Sequence, residues 1–281
     1  MDEAKTSLMK TDSKELQSDI EGLIGCIWYS RKDGNKSISQ ALEWFRRSSE
    51  NSVACHYSSE NRAKYLKILW DINTEESLLE LIHASYEYSI NEDDSEAMRY
   101  LGVMYRFGKG VHKNTKEAMT WMKKAADRGN RKAIWQYLDL LWQCNDTETD
   151  SIMINYALMH TDSAEVLARL GRMYHRARGT PRDDQKAIGY MREAISKGAH
   201  WINNELFDVL WSHNNKEDDY EAFQIIKKYV ETKNAAAMYR LSLCYECGRG
   251  TNQNTAKASK WLKQSAVGHY EPAVRQLAKI D

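Results

Sequence analysis

Residues 97–129 read AMRYLGVMYRFGKGVHKNTKEAMTWMKKAADRG. Ala97, Leu101, Met104, Tyr105 and Gly108 recur at i, i+4, i+7, i+8 and i+11, one face of a helix. After a glycine-rich break the pattern resumes at Ala118, Trp121, Met122, Ala125 and Ala126. The stretch predicts two helices joined by a turn. Its middle, YRFGKGVHKN (105–114), poses a choice: Gly108 and Gly110 flank Lys109, as in a loop that cradles an anion.

The rest of the chain resolves that choice. Residues 166–198 (VLARLGRMYHRARGTPRDDQKAIGYMREAISKG) and 237–268 (AMYRLSLCYECGRGTNQNTAKASKWLKQSAVG) repeat the pattern. Gly102 and Trp121, Gly171 and Tyr190, and Ser242 and Trp261 all stand 19 residues apart, as do Gly25 and Trp44 in a fainter first copy. The turn recurs as Ala177-Arg178-Gly179 and Gly248-Arg249-Gly250. A P-loop needs four residues between its glycines, a strand before it and Lys-Ser/Thr after it. Recurrence where two helices reverse is instead what glycine's backbone freedom predicts. A basic ridge of Lys109, Arg178 and Arg249 along one rim stays open as a possibility.

Between these copies lie YLKILWDIN (65–73), YLDLLWQCN (137–145) and LFDVLWSHN (206–214), each with Leu-Trp at Trp70, Trp142 or Trp211. Full and degenerate units thus alternate, at 15–55, 59–92, 93–130, 131–162, 163–200, 201–234 and 235–270, with a C-terminal capping helix at 271–281. Residues 1–12 are expected to be flexible, and 13–281 to form a single repeat solenoid. The fold class is all-α: a right-handed α-solenoid, or superhelix, of antiparallel helix pairs, with first helices lining a concave face. Asn114 or Thr115, Asp183 and Asn254 are expected N-caps, and Gly129, Gly198 and Gly268 left-handed stops. One register sets Trp142 opposite Arg106 on the concave surface; a one-residue shift sets it opposite the core tyrosine, Tyr105.

The chain has 281 residues, with 40 basic and 40 acidic, so it lacks the electrostatic footprint of a nucleic-acid binder. Only two prolines occur, consistent with helix. The start, MDEAKTSLMKTDSKEL, has no apolar targeting core, and no run is long enough to span a bilayer. A cytoplasmic location without membrane insertion is expected. Five cysteines, Cys26, Cys55, Cys144, Cys244 and Cys247, read as reduced thiols.

The repeated pattern resembles the Sel-one-like repeat (SLR), a relative of the tetratricopeptide repeat. Its signature, A-x3-LG-x2-Y-x2-G-x-G then A-x2-W-x3-AA-x2-G, is matched by Ala97, Leu101, Gly102, Tyr105, Gly108, Gly110, Ala118, Trp121, Ala125, Ala126 and Gly129. Other copies depart from it: Ala177 replaces a turn glycine and Ser242 the helix glycine. The resemblance implies a non-enzymatic adaptor whose concave face binds peptides or proteins. A secreted branch joins the helices of each repeat by disulfides; the cysteines here are not regularly paired.

No enzyme signature stands out. Cys244-x-x-Cys247 lacks a second ligand pair for zinc and lies at the end of a first helix, where the dipole does not favour a thiolate. The i, i+3 spacing suits one partly buried face. The acid pairs Asp93-Asp94, Asp183-Asp184 and Asp218-Asp219 precede predicted helices, as caps do. Arg169, Arg172, His175, Arg176, Arg178 and Arg182 read either as an anchor for an acidic peptide or as a solvated face balanced by Glu165, Asp183 and Asp184. The expected function is a protein- or peptide-binding scaffold, with an acidic segment among its candidate partners. It is expected to be a monomer with no cofactor, metal or catalytic residue. The candidate concave residues are Arg99, Val103, Arg106, Gln136, Asp139, Trp142, Arg172, His175, Tyr239, Leu243 and Glu246. The alternatives are a hydrolase-like protein acting on a small anionic or cell-wall-type ligand, and a structural self-associating module.

Overall fold

A computed structural model describes residues 14–30, 35–50, 56–91 and 93–279. These form α1 (Lys14–Ser30), α2 (Asn35–Glu50), α3 (His56–Ile72), α4 (Glu75–Asn91), α5 (Ser95–Phe107), α6 (Thr115–Asp127), α7 (Arg131–Cys144) and α8 (Thr147–Leu158). They continue with α9 (Ala164–Arg176), α10 (Asp184–Ser196), α11 (Asn203–His213), α12 (Lys216–Tyr229), α13 (Ala235–Cys247), α14 (Thr255–Val267) and α15 (Glu271–Leu277). Short 3-10 turns at His200–Ile202 and Val230–Thr232 complete the described elements, which include no strand. Cys55 and residues 1–12 lie outside the described residues.

Helix pairing follows from small residues placed opposite large ones. A Cβ on Gly102 would sit 2.8 Å from Met122 Cγ, and one on Gly171 2.6 Å from Met191 Cγ. Leu101, Met104 and Met122 are wholly buried in this pair. Each such side chain contributes about 1.5–3 kcal/mol of transfer free energy. The repeat is therefore built on close backbone approach, with the methionine filling the space the glycine leaves.

The chain divides into two compact units, Met1–Leu140 and Leu141–Asp281. The first has a core that includes Phe45, Tyr65, Leu66, Leu81, Tyr100 and Met104. The second has a core that includes Leu167, Met191, Phe207, Phe223, Leu241 and Cys244.

Local signals end the helices. Asn114 accepts hydrogen bonds from the Lys116 and Glu117 amides, Asp183 from Lys186, and Asn254 from Lys257, as expected of N-caps. Gly129 and Gly198 hold φ of 79° and 101°. Gly268 does not: its φ is −76°, and the left-handed residue is His269 at 57°. Counted from its N-cap, the last copy carries its glycine one residue early, so the left-handed position falls on the histidine. Gly268 has a different reason to lack a side chain, since a Cβ there would lie 2.7 Å from Ala235 Cβ.

The three Leu-Trp helices share a stop that the tryptophans overshadow in the sequence. Asn73, Asn145 and Asn214, each three residues after the tryptophan, hold φ of 54°, 52° and 52°. Asparagine tolerates this conformation better than other residues with a side chain. Gly108, at 69°, is the same stop in the full unit. Counting back three residues from each stop aligns Trp142 with Tyr105. Because α7 has 14 residues and α5 has 13, both registers hold, one at each end of the helix.

Candidate functional site

The candidate residues fall on first helices, where neighbouring polar side chains join one helix to the next. In the first unit Arg106 Nη2 donates to Asp139 Oδ2 at 2.5 Å, from α5 to α7. In the second, Arg172 makes a bidentate pair with Glu205 (Nε–Oε2 2.6 Å) and Arg240 with Asp208 (Nε–Oδ1 2.8 Å). Gln276 Nε2 reaches Glu246 Oε2 at 3.1 Å. Burial opposes the charge on Arg240, but Asp208 overrides it and raises the guanidinium pKa.

Not every predicted residue reaches the surface. Val103 is buried, and so is Arg99, which folds back on Glu96 (Nε–Oε2 2.9 Å) and over the Tyr100 ring. Burial works against charge there, yet each partner holds the other ionised: the carboxyl pKa is lowered and the guanidinium's raised. Gln136 is half-buried, and its Oε1 has no hydrogen-bond partner. Leu243 and Tyr239 are half-buried, with Tyr239 packed on Tyr270; Glu246 is exposed. Sequence reasoning missed Trp201, which is 46% exposed and covered on one side by Arg172, 4.9 Å from the ring centroid.

The three turn cations do not form a free ridge. Arg178 lies over the Trp142 ring at 4.1 Å, donates to the Trp142 carbonyl at 3.0 Å, and pairs with Asp150 through two nitrogens (Nε–Oδ2 3.1 Å). Arg249 repeats the arrangement on Trp211, with its ring at 3.7 Å and carbonyl at 2.7 Å, and on Asp219 (Nε–Oδ2 2.9 Å). Lys109 sits 4.3 Å over Trp70 and donates to Asn73 Oδ1 at 2.8 Å. Each of the three later full units thus reaches back with its turn cation to clasp the Leu-Trp unit before it. The second turn glycine makes this possible, because a Cβ on Gly179 or Gly250 would collide with the carbonyl of Asp150 or Asp219. The half-buried tryptophans are the floor of this clasp, with Arg169 and Arg176 also near the Trp142 ring.

Of the acids expected to balance the basic stretch around Arg172, Asp184 does so, pairing with exposed Arg182 and with His175. The stretch's other acids come from neighbouring helices: Glu205 and Asp150. His175 Nδ1 lies 2.9 Å from Asp184 Oδ1, and His213 Nδ1 2.6 Å from Asp218 Oδ2. Hydrogen bonding from Arg182 holds the Asp184 carboxyl at about 2 against partial burial, with His175 adding to it. The Cys244–Cys247 pair straddles the surface: Cys244 is wholly buried, its thiol pushed up to about 12 by burial, while Cys247 is exposed. Among the described residues no group of three His, Cys, Asp or Glu side chains is arranged to hold a metal.

The Sel1 repeat family pattern matches residues 26–53, 95–130, 164–198 and 235–266, the four full units. Among solved structures, the fold is similar to a Sel1 repeat protein from Oxalobacter formigenes, at 23% identity and a TM-score of 0.60. That match covers 78% of this chain and 89% of the other. A protective antigen of uropathogenic Escherichia coli with an SLR fold is 16% identical, also with a TM-score of 0.60; 94% of this chain matches 64% of that one. No described helix is long and apolar enough to cross a membrane. With four units that match the Sel1 repeat alternating with Leu-Trp units, this chain is a Sel1-like repeat protein.

Proposed function

We propose that the chain is a non-enzymatic scaffold that binds a peptide or protein segment along its first-helix faces. Sel1 repeat proteins generally act as protein-interaction scaffolds. The observation that carries the reading is the character of these faces in each unit. They display half-buried groups, including aromatic Tyr239 and aliphatic Leu243, beside exposed Trp201 and Glu246. In the first unit they include half-buried Gln136, whose Oε1 has no hydrogen-bond partner. Because Arg106, Arg172 and Arg240 already face acids of the same face, the preferred segment is mixed-polar and aromatic rather than strongly acidic.

The test is affinity capture from native lysate with mass-spectrometric identification, comparing the wild type with Tyr239→Ala/Leu243→Ala/Glu246→Lys. Arg106 and Arg172 are poorer choices, since each forms an ion pair between helices, and Trp142 lies beneath Arg178. A partner captured by the wild type and lost by a folded triple variant supports the reading; equal capture by both overturns it.

A further inference from the structure

The later full units bury all or part of one flank of their leading helices. Two residues after the central Gly102, Gly171 or Ser242 stand Met104, Met173 and Cys244, all wholly buried. Two residues before Gly102 stands Tyr100, 5% exposed. In α5 this flank is covered by α4, whose Leu78 and Ile82 pack on the cluster that holds Tyr100 and Met104.

The leading helix of the first copy differs. Its centre is Gly25, so Leu23 and Ile27 take the places of Tyr100 and Met104, yet they are 64% and 48% exposed. Within residues 17–30 the exposed positions are Leu23, Ile27, Tyr29 and Ser30, none of them charged. A surface helix ordinarily turns charged residues to water. An uncharged, mainly apolar flank marks an interaction surface.

We propose that this flank of α1 is a self-association site, on which a second copy of the chain lays its own α1, antiparallel about a two-fold axis. The α4–α5 contact shows what chemistry covers the flank: a helix with Leu and Ile at i, i+4. That is Leu78 and Ile82 in α4, and α1 itself offers Leu23 and Ile27 at the same spacing. A two-fold axis lets each stripe cover the other with one patch. No exposed charge among residues 17–30 is brought against its like. A concentration-dependent dimer replaces the monomer expected from the sequence.

Sedimentation of the full chain from micromolar to millimolar concentration tests this. The expected result is a reversible monomer–dimer equilibrium, weakened more than about a hundredfold in Leu23→Glu/Ile27→Glu. It should be unchanged in Leu79→Glu, an exposed position on α4. Hydrogen exchange on the wild type needs no variant: protection of α1 amides should rise with concentration. A monomer throughout, a dimer indifferent to the α1 substitutions, or α1 protection that ignores concentration would each overturn the proposal.

Discussion

Ala177 holds φ of 55° where its sister copies have Gly108 and Gly248. A left-handed residue with a side chain costs about 1–2 kcal/mol. Ala177→Gly should therefore raise the unfolding free energy by about 1 kcal/mol, measured by urea denaturation. The glycines separate strain from space. Nothing lies within 4 Å of a Cβ on Gly129, so Gly129→Ala should cost only the backbone strain, about 1 kcal/mol. Gly179→Ala adds a collision with the Asp150 carbonyl and should cost about 3 kcal/mol or more. The thiols divide in the same way. Native-state maleimide labelling should modify Cys144 and Cys247 quickly and leave buried Cys244 unmodified until the chain unfolds. A repeat alignment made the turn glycines legible, but it could not tell Gly268, absent a side chain for want of space, from Gly129, left-handed by conformation.

Clasps between consecutive helix pairs belong to the scale of elements. Arg249 has a largely buried carboxylate partner, a carbonyl and an indole; Lys109 has an asparagine and an indole. Arg249→Ala should cost about 2–3 kcal/mol, because it strands Asp219, whereas Lys109→Ala should cost under about 1 kcal/mol. Thermal or urea unfolding of the two variants checks the ordering. The carboxylate of Asp184 has a folded pKa of about 2, below its ordinary 3.8. A depressed carboxylate stabilises the fold above its unfolded pKa and loses that contribution as pH falls through the folded value. Acid unfolding should thus steepen between about pH 4 and 2, and Asp184→Asn should flatten that limb. Neighbouring Asp183 and Asp184 hinted at local neutralisation, but the acid that meets Arg178 stands 28 residues earlier, in α8. Such a pairing has no local spacing to betray it.

For the whole molecule, charge balance has one plain consequence. With 40 basic and 40 acidic residues, and the turn arginines Arg178 and Arg249 paired, the chain has no net positive charge to displace counterions from a phosphate backbone. The chain should elute from immobilised duplex DNA at or below about 0.15 M salt, a measurement that a hidden nucleic-acid site would contradict. The candidate binding face was legible in part. Helical periodicity put its candidates on first helices, but it also included Arg99 and Val103, which are buried. It passed over Trp201, which lies in a 3-10 turn outside the helical pattern.

The sequence by itself determined the repeat, the helix pairs and most of their caps. Those depend on residues within one or two turns of each other, and the 19-residue spacing repeats them often enough to read. Only the tertiary structure decided what the long side chains do. It turned Lys109, Arg178 and Arg249 from a possible rim into internal clasps, and set the three tryptophans beneath them. It also showed that Leu23 and Ile27 face water at positions where α5 buries Tyr100 and Met104. Burial and ion pairing join residues about thirty positions apart, and periodicity along the chain carries no record of such distances.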